Sequence, residues 1–167
     1  MKNDVMVAFA EELRLCSIET WRRILNHRFI IELSNNTLPV NKFLFYLKQD
    51  HYFLEEFSKF LQSAKQKAIN NKMKQWLDSL YISIVDIEME MQRQMLRSID
   101  PSSPAAGSHP NSNNISNRLV TTKHTIMPCK TTLNYTSYLK HVSSSGTFSE
   151  IVSVMAPCPW TYLEIAL

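Results

Sequence analysis

The scarcity of glycine constrains the fold more than any other feature, because Gly107 and Gly146 are the only two glycines among 167 residues. All-β and doubly wound folds need glycine at many turns and bulges, where its backbone adopts conformations that other residues resist. Long helices joined by few loops need far fewer such positions. The chain is therefore predicted to be all-α and to form a single domain over residues 1–167.

Apolar residues recur at helical spacing in three long segments, which predicts a helical bundle. The helices are expected over about residues 4–26, from Pro39 onward, and over about residues 71–98, with a turn at Ser34-Asn35-Asn36 after the first. The second helix carries the clearest apolar stripe, formed by Phe43, Leu47, Leu54, Phe57 and Leu61.

The C-terminal third contains local signals for helix ends. Gly146 is placed to end a helix that begins near Tyr135. Thr147 and Glu150 then form a predicted capping box, in which each side chain satisfies a backbone amide of the other residue. Pro157 and Pro159 interrupt the last helical pattern, and a kink is expected around Cys158, which lies between them.

Between these parts lies a segment that is poor in apolar residues. Residues 101–117 read PSSPAAGSHPNSNNISN, and Ile115 is their only large apolar residue. Such a segment cannot bury enough surface to offset the entropy of ordering it. A flexible insert is therefore expected over about residues 101–130, with a short element near residues 118–127.

Charge and hydropathy argue against two classes of partner. The net charge is +3. The densest basic spots are spaced like solvated helix faces rather than as the concentrated stripe that nucleic-acid binding needs; they are Arg22-Arg23 and the stretch of Lys65, Lys67, Lys72 and Lys74. No apolar run approaches the roughly 18 residues of a membrane span. A cytoplasmic protein without nucleic-acid or membrane partners is expected. Its three cysteines should be free thiols, with Cys16 in the core and Cys129 in or beside the insert.

Asp50 lies in the middle of the aromatic stripe of the second helix. A carboxylate there is costly unless it is paired or hydrogen-bonded. It is either a structural residue that meets a loop or an arginine, or a ligand-binding group at the floor of an aromatic pocket. Tyr46 and Phe53 lie one turn to either side, and they favour a flat aromatic ligand.

Cys158 also has two interpretations. Buried free cysteine is usually an inert small hydrophobe, whereas a thiol at a proline kink can face a cavity and react. The histidines form no HExxH or Glu-x-x-His pattern, and two glycines cannot build a phosphate-binding loop. Neither a metal nor a cofactor is expected.

Two stretches together resemble the TenA/thiaminase II family. The first runs from NHRF at residue 26 to NNTLPVNKFLFYLKQDHYFLEEF, which ends at Phe57. It is similar to the family's His-x-Phe, its TLP turn and its YxxQD helix with an aromatic three residues later. The second contains YTSYL from Tyr135 and GTFSEIVSVMAPCPWTYLEIA from Gly146, which resemble the family's YTxYL and PC-aromatic-W-x-Y-x-EI segments.

The resemblance implies a haem-oxygenase-like helical bundle that assembles as a homo-oligomer, a tetramer or a dimer. It implies hydrolysis of thiamine, or of its aminopyrimidine breakdown products, to 4-amino-5-hydroxymethyl-2-methylpyrimidine. By their positions in the motifs, Asp50 would hold the aminopyrimidine and Cys158 would be the nucleophile. Phe53, Tyr135 and Tyr162 would line the pocket, with Tyr135 near the reacting groups.

The chain departs from the family pattern at several points. Arg28 replaces the proline of His-Pro-Phe, and Pro159 replaces the aromatic residue after the cysteine. Family members continue for several more helices, one of which carries a glutamate proposed to move protons, whereas this sequence ends at Leu167. Two other functions therefore stay open: a binding module that has lost the chemistry, and a shortened remnant that acts only through self-association.

Overall fold

The computed structural model describes residues 2–99 and 127–166, with side chains from residue 9 onward. The described residues are mostly helical and contain no strand, which confirms the all-α prediction. The helices are α1 (Lys2–Cys16), α2 (Ile18–Leu25), α3 (Arg28–Ser34), α4 (Val40–Gln66), α5 (Asn71–Ile82), a π-helical turn (Ser83–Glu88), α6 (Met89–Ile99), α7 (Lys130–Ser145), α8 (Phe148–Met155) and α9 (Pro157–Ala166).

The described chain divides into two compact units. The central unit comprises Val40–Ala156, and the terminal unit combines Met1–Pro39 with Pro157–Leu167. The single-domain organisation stays a prediction. Most of the expected insert at residues 101–130, and the short element at 118–127, lie outside the described residues; α7 already begins at Lys130. Among the described residues, no helix is both long enough and apolar enough to span a bilayer.

Helix α4 is the axis of the central unit, and α5, α6 and α7 pack against it. Its predicted stripe is buried at Leu47, Leu54, Phe57 and Leu61, as the helical periodicity requires. The core is completed by side chains from α5 to α8, among them Leu77, Ile84, Met89, Leu139, Ile151 and Met155. The expected bundle of long helices is thus present in this unit.

The third predicted helix is helical throughout but not regular. It starts at Asn71 as expected, where the Asn70 side chain accepts a hydrogen bond from Met73 N at 2.9 Å. Its middle, Ser83–Glu88, is a π-helical turn. Such turns are rare and frequently lie at functional sites, because the extra residue changes which side chains face the neighbouring helix.

The junction between α7 and α8 follows the local signals. Gly146 ends α7, and the Thr147–Glu150 capping box is confirmed: Thr147 N donates to Glu150 Oε2 at 2.7 Å, and Glu150 N donates to Thr147 Oγ1 at 3.3 Å. Lys67, which the charge pattern assigned to a solvated face, is half-buried instead. Its ammonium donates to Ser144 O at 2.8 Å and to Gly146 O at 2.7 Å, so it caps the C-terminus of α7.

In the terminal unit, the structure differs from the prediction for the first helix. The expected helix over residues 4–26 is broken at Ser17 into α1 and α2. Cys16 is exposed, so its assignment to the core is wrong: Phe9 and Leu13, which share its face of α1, are exposed as well, so this apolar face is not buried. Trp21 packs on Trp160, with ring centroids 5.4 Å apart.

The end of the chain also differs from the expected geometry. The interruption expected around Cys158 falls earlier, because α8 ends at Met155 and α9 begins at Pro157. Proline fits the first position of a helix, where its missing N–H costs no hydrogen bond, so Pro157 starts α9 rather than bending it. Glu164 of α9 accepts two hydrogen bonds from the Arg14 guanidinium, at 3.0 and 2.9 Å.

Candidate functional site

Aromatic rings and a carboxylate meet on one side of α4. Phe53 lies one turn after Asp50, and its ring stacks on Tyr135 of α7, with centroids 5.6 Å apart and planes at 4°. The Phe53 ring also stacks on Phe57, with centroids 5.3 Å apart. Tyr135 is held in turn by its hydroxyl, which donates to Val154 O at 3.3 Å. The structure therefore brings together three of the predicted site residues.

Asp50 is hydrogen-bonded to a buried side chain of α6. Gln92 Nε2 donates to Asp50 Oδ2 at 2.5 Å, and Gln92 Oε1 lies 3.2 Å from His51 Nδ1. Only 4% of Gln92 is exposed, so the amide has no access to bulk water as an alternative partner. The cost of placing a carboxylate on an apolar stripe is offset by this contact.

A second carboxyl group lies near Asp50. Glu88 is the last residue of the π-helical turn and precedes Gln92 by one helical turn. Burial raises the pKa of Glu88 above its ordinary value, and the negative charge of Asp50 raises it further. Both effects disfavour the ionised form of Glu88, so Glu88 is a candidate proton-holding group beside Asp50.

The other two predicted site residues belong to the terminal unit. Cys158 is half-buried in the first turn of α9, and Tyr162, one turn later, is 46% exposed. Thr161, between them, donates from its hydroxyl to Pro157 O at 2.7 Å. The roles of Cys158 and Tyr162 stay predictions.

Gln92, His51 and Glu88 were not predicted as site residues from the sequence. A signal was present, because Glu88 and Gln92 follow the buried Ile84 at four-residue steps on the apolar face of the third helix. Polar residues at core-facing positions require partners, and two of them on one face point to a polar site. Which helix supplies the partner cannot be read from that spacing.

Gln49 is a further positioning residue. It belongs to the YxxQD motif, but the motif alone did not indicate what its side chain contacts. Its amide spans the start of α7: Cys129 N donates to Gln49 Oε1 at 2.7 Å, and Gln49 Nε2 donates to Met127 O at 3.1 Å. Cys129, which had no assigned role, occupies the cap position of α7. Gln49 thus fixes the helix that carries Tyr135, from the position next to Asp50.

Residues 18–100 match the profile of the TENA/THI-4/PQQC family. The chain belongs to this family. It is 27% identical over 162 residues to an aminopyrimidine aminohydrolase of Bacillus subtilis (strain 168), covering 94% of this chain and 59% of the relative. It is 24% identical over 161 residues to an aminopyrimidine aminohydrolase of Halalkalibacterium halodurans, covering 96% of this chain and 64% of the relative.

A solved TenA homologue from P. horikoshii OT3 has the same fold. The two superpose with a TM-score of 0.72 at 26% identity, over 94% of this chain and 65% of that one. The chain therefore spans less than two thirds of the relatives that it matches. This TenA-family match confirms the fold predicted from the motifs.

Proposed function

We propose that the protein is a thiaminase II-like hydrolase. Its substrates would be thiamine or aminopyrimidine breakdown products of thiamine, and its product 4-amino-5-hydroxymethyl-2-methylpyrimidine. The names of its relatives support this class of substrate. The observation that carries the proposal is the oriented carboxylate of Asp50, one turn from the stacked pair Phe53 and Tyr135.

Recognition rests on two complementary surfaces. An aminopyrimidine presents an amidine edge, whose N–H groups a carboxylate accepts, and two flat faces, on which an aromatic ring can stack. Asp50 is the proposed anchor for the edge, and Phe53 and Tyr135 are the proposed walls. Tyr162 is proposed as a further ring packed on the substrate.

The proposed chemistry uses Cys158 as the nucleophile. Its thiolate adds to the electron-poor pyrimidine ring and forms a C–S bond. The substituent on the exocyclic methylene then leaves with the bonding electron pair. Water adds to that carbon and gives up one proton, which the departing group or the solvent takes, and the C–S bond breaks with its electron pair returning to sulfur as the thiolate. Cys158 lies in the first turn of α9, and helix N-termini favour anionic groups.

Binding of the hydroxymethyl pyrimidine, measured by calorimetry, tests the anchor. Asp50→Asn removes the charge while conserving the shape, and loss of a charge-assisted hydrogen bond of about 1.5–3 kcal/mol predicts roughly 10- to 100-fold weaker binding. Asp86→Asn is the matched control, because Asp86 is exposed on the π-helical turn. Equal affinity in both variants would remove Asp50 from the proposed site.

A further inference from the structure

The side chain of Gln92 is fixed at both ends of its amide. It lies in α6, one turn after the π-helical turn, and is almost fully buried. One end meets the Asp50 carboxylate at 2.5 Å, and the other meets the imidazole of His51 at 3.2 Å. Asp50 and His51 are consecutive residues of α4, so a single amide bridges two neighbouring side chains of that helix.

Only one orientation of this amide satisfies both neighbours. An ionised carboxylate accepts hydrogen bonds and cannot donate, so the NH₂ group of Gln92 must face Asp50. The carbonyl oxygen then faces His51, which must donate from Nδ1. The other imidazole nitrogen, His51 Nε2, lies 3.9 Å from Glu55 Oε1 at the exposed end of the network. The network thus sets the direction of the Asp50 carboxylate and makes His51 Nδ1 the donor to Gln92.

We propose that Gln92 is a positioning residue, which holds the Asp50 carboxylate in the orientation that binds the amidine edge of an aminopyrimidine. This inference rests on the proposed function of Asp50. A carboxylate held in advance by a buried donor binds more tightly, because less rotational freedom is lost when the ligand binds. Gln92 supplies that donor without adding a charge beside Asp50.

The charges around Gln92 make its neutrality important. Asp50 and His51 contact it from α4, Glu55 lies 3.9 Å from His51 Nε2, and Glu88 precedes it by one turn, on the π-helical turn. A carboxylate in place of the amide would add a negative charge beside Asp50. A protonated carboxyl group would instead keep one donor for Asp50 and one acceptor for His51.

The variant Gln92→Glu tests this difference between an ionised and a protonated carboxyl group. We expect its affinity for the hydroxymethyl pyrimidine, relative to the wild type at the same pH, to be about 10-fold lower at pH 8, as loss of a charge-assisted bond predicts. At pH 5 the added carboxyl group is more often protonated, and the deficit should narrow to about 3-fold. The ratio to the wild type cancels any titration of the ligand itself.

Gln75→Glu is the matched control, because Gln75 is exposed on α5 and the same change there should leave affinity within about twofold at both pH values. Thermal denaturation at each pH checks that both variants are folded. A deficit in Gln92→Glu that does not change with pH would indicate a structural role and overturn the proposal, as would unchanged affinity. If the wild type did not bind the pyrimidine at all, the proposed function would fail as well.

Discussion

At the scale of single residues, the negative charge of Asp50 affects the ionisation of the neighbouring Glu88. Burial and the Asp50 charge raise the pKa of Glu88 above its ordinary value of 4.5. The folded protein therefore holds this proton to a higher pH than the unfolded chain does. By linkage, the contribution of Glu88 to the free energy of unfolding is fully present below pH 4.5. It is lost as pH rises through the pKa of Glu88 in the folded protein.

Glu88→Gln should therefore become more stable relative to the wild type as the pH rises from 4 to 8, measured by urea denaturation. Glu90→Gln is the control of opposite sign, since hydrogen bonds from Gln94 and Arg93 lower the pKa of Glu90. Its stabilising contribution is present above the unfolded pKa and is lost on acidification. Parallel pH profiles for the two variants would contradict this account.

A second prediction for a single residue concerns the stacked ring of Phe53. Aromatic pairs contribute about 0.5–1.5 kcal/mol beyond area burial, so Phe53→Leu should weaken pyrimidine binding by roughly 2- to 10-fold. Phe45→Leu, on the same helix but 58% exposed, should bind as the wild type does. Calorimetric titration of both variants makes the comparison, and equal weakening would show that the effect is not specific to the stack.

At the scale of elements, the α7–α8 junction depends on a close approach rather than on an unusual backbone. Gly146 has φ −80°, which any residue adopts, but a Cβ there would lie 2.8 Å from Val142 O and 3.0 Å from Val142 Cγ1. Gly146→Ala should therefore lower the free energy of unfolding by about 1–3 kcal/mol, in the range of other overpacked sites. Ser145→Ala, exposed and adjacent, should change it by less than about 0.5 kcal/mol in the same urea titration. An unchanged free energy of unfolding in Gly146→Ala would contradict this prediction. It would mean that the end of α7 moves without loss of stability.

Local signals in the sequence predicted the elements well, whereas contacts between elements could not be predicted. The Thr147–Glu150 capping box involves residues three apart, so the sequence contains the whole interaction. The π-helical turn and the Gln92–Asp50 contact depend on how α6 packs against α4, 42 residues away in the chain. Cys16 was misplaced because periodicity shows which face of a helix is apolar but not whether another element covers that face.

At the scale of the whole molecule, α1 and α9 carry apolar side chains that meet solvent. Phe9 is 61% exposed, Leu13 47% and Leu163 59%. Exposed apolar residues grouped on a helix are typical of interaction surfaces, so we propose that the protein is a homo-oligomer, a dimer or a tetramer.

Sedimentation velocity over a range of concentrations tests the assembly. We expect a species larger than the 19.4 kDa monomer. The double variant Phe9→Glu/Leu13→Glu should shift the distribution toward monomer, whereas Ile69→Glu, 76% exposed in the central unit, should not. A monomer at every concentration would contradict the proposed homo-oligomer.

The most direct test of the proposed hydrolase is turnover that depends on Cys158. Purified protein would be incubated with thiamine and, separately, with 4-amino-5-aminomethyl-2-methylpyrimidine, and the hydroxymethyl pyrimidine would be measured by chromatography. We predict product from the wild type and from Cys16→Ala, whose cysteine is exposed, and none above background from folded Cys158→Ala. Equal product from Cys158→Ala would contradict the nucleophile, and no product from the folded wild type would contradict the hydrolase.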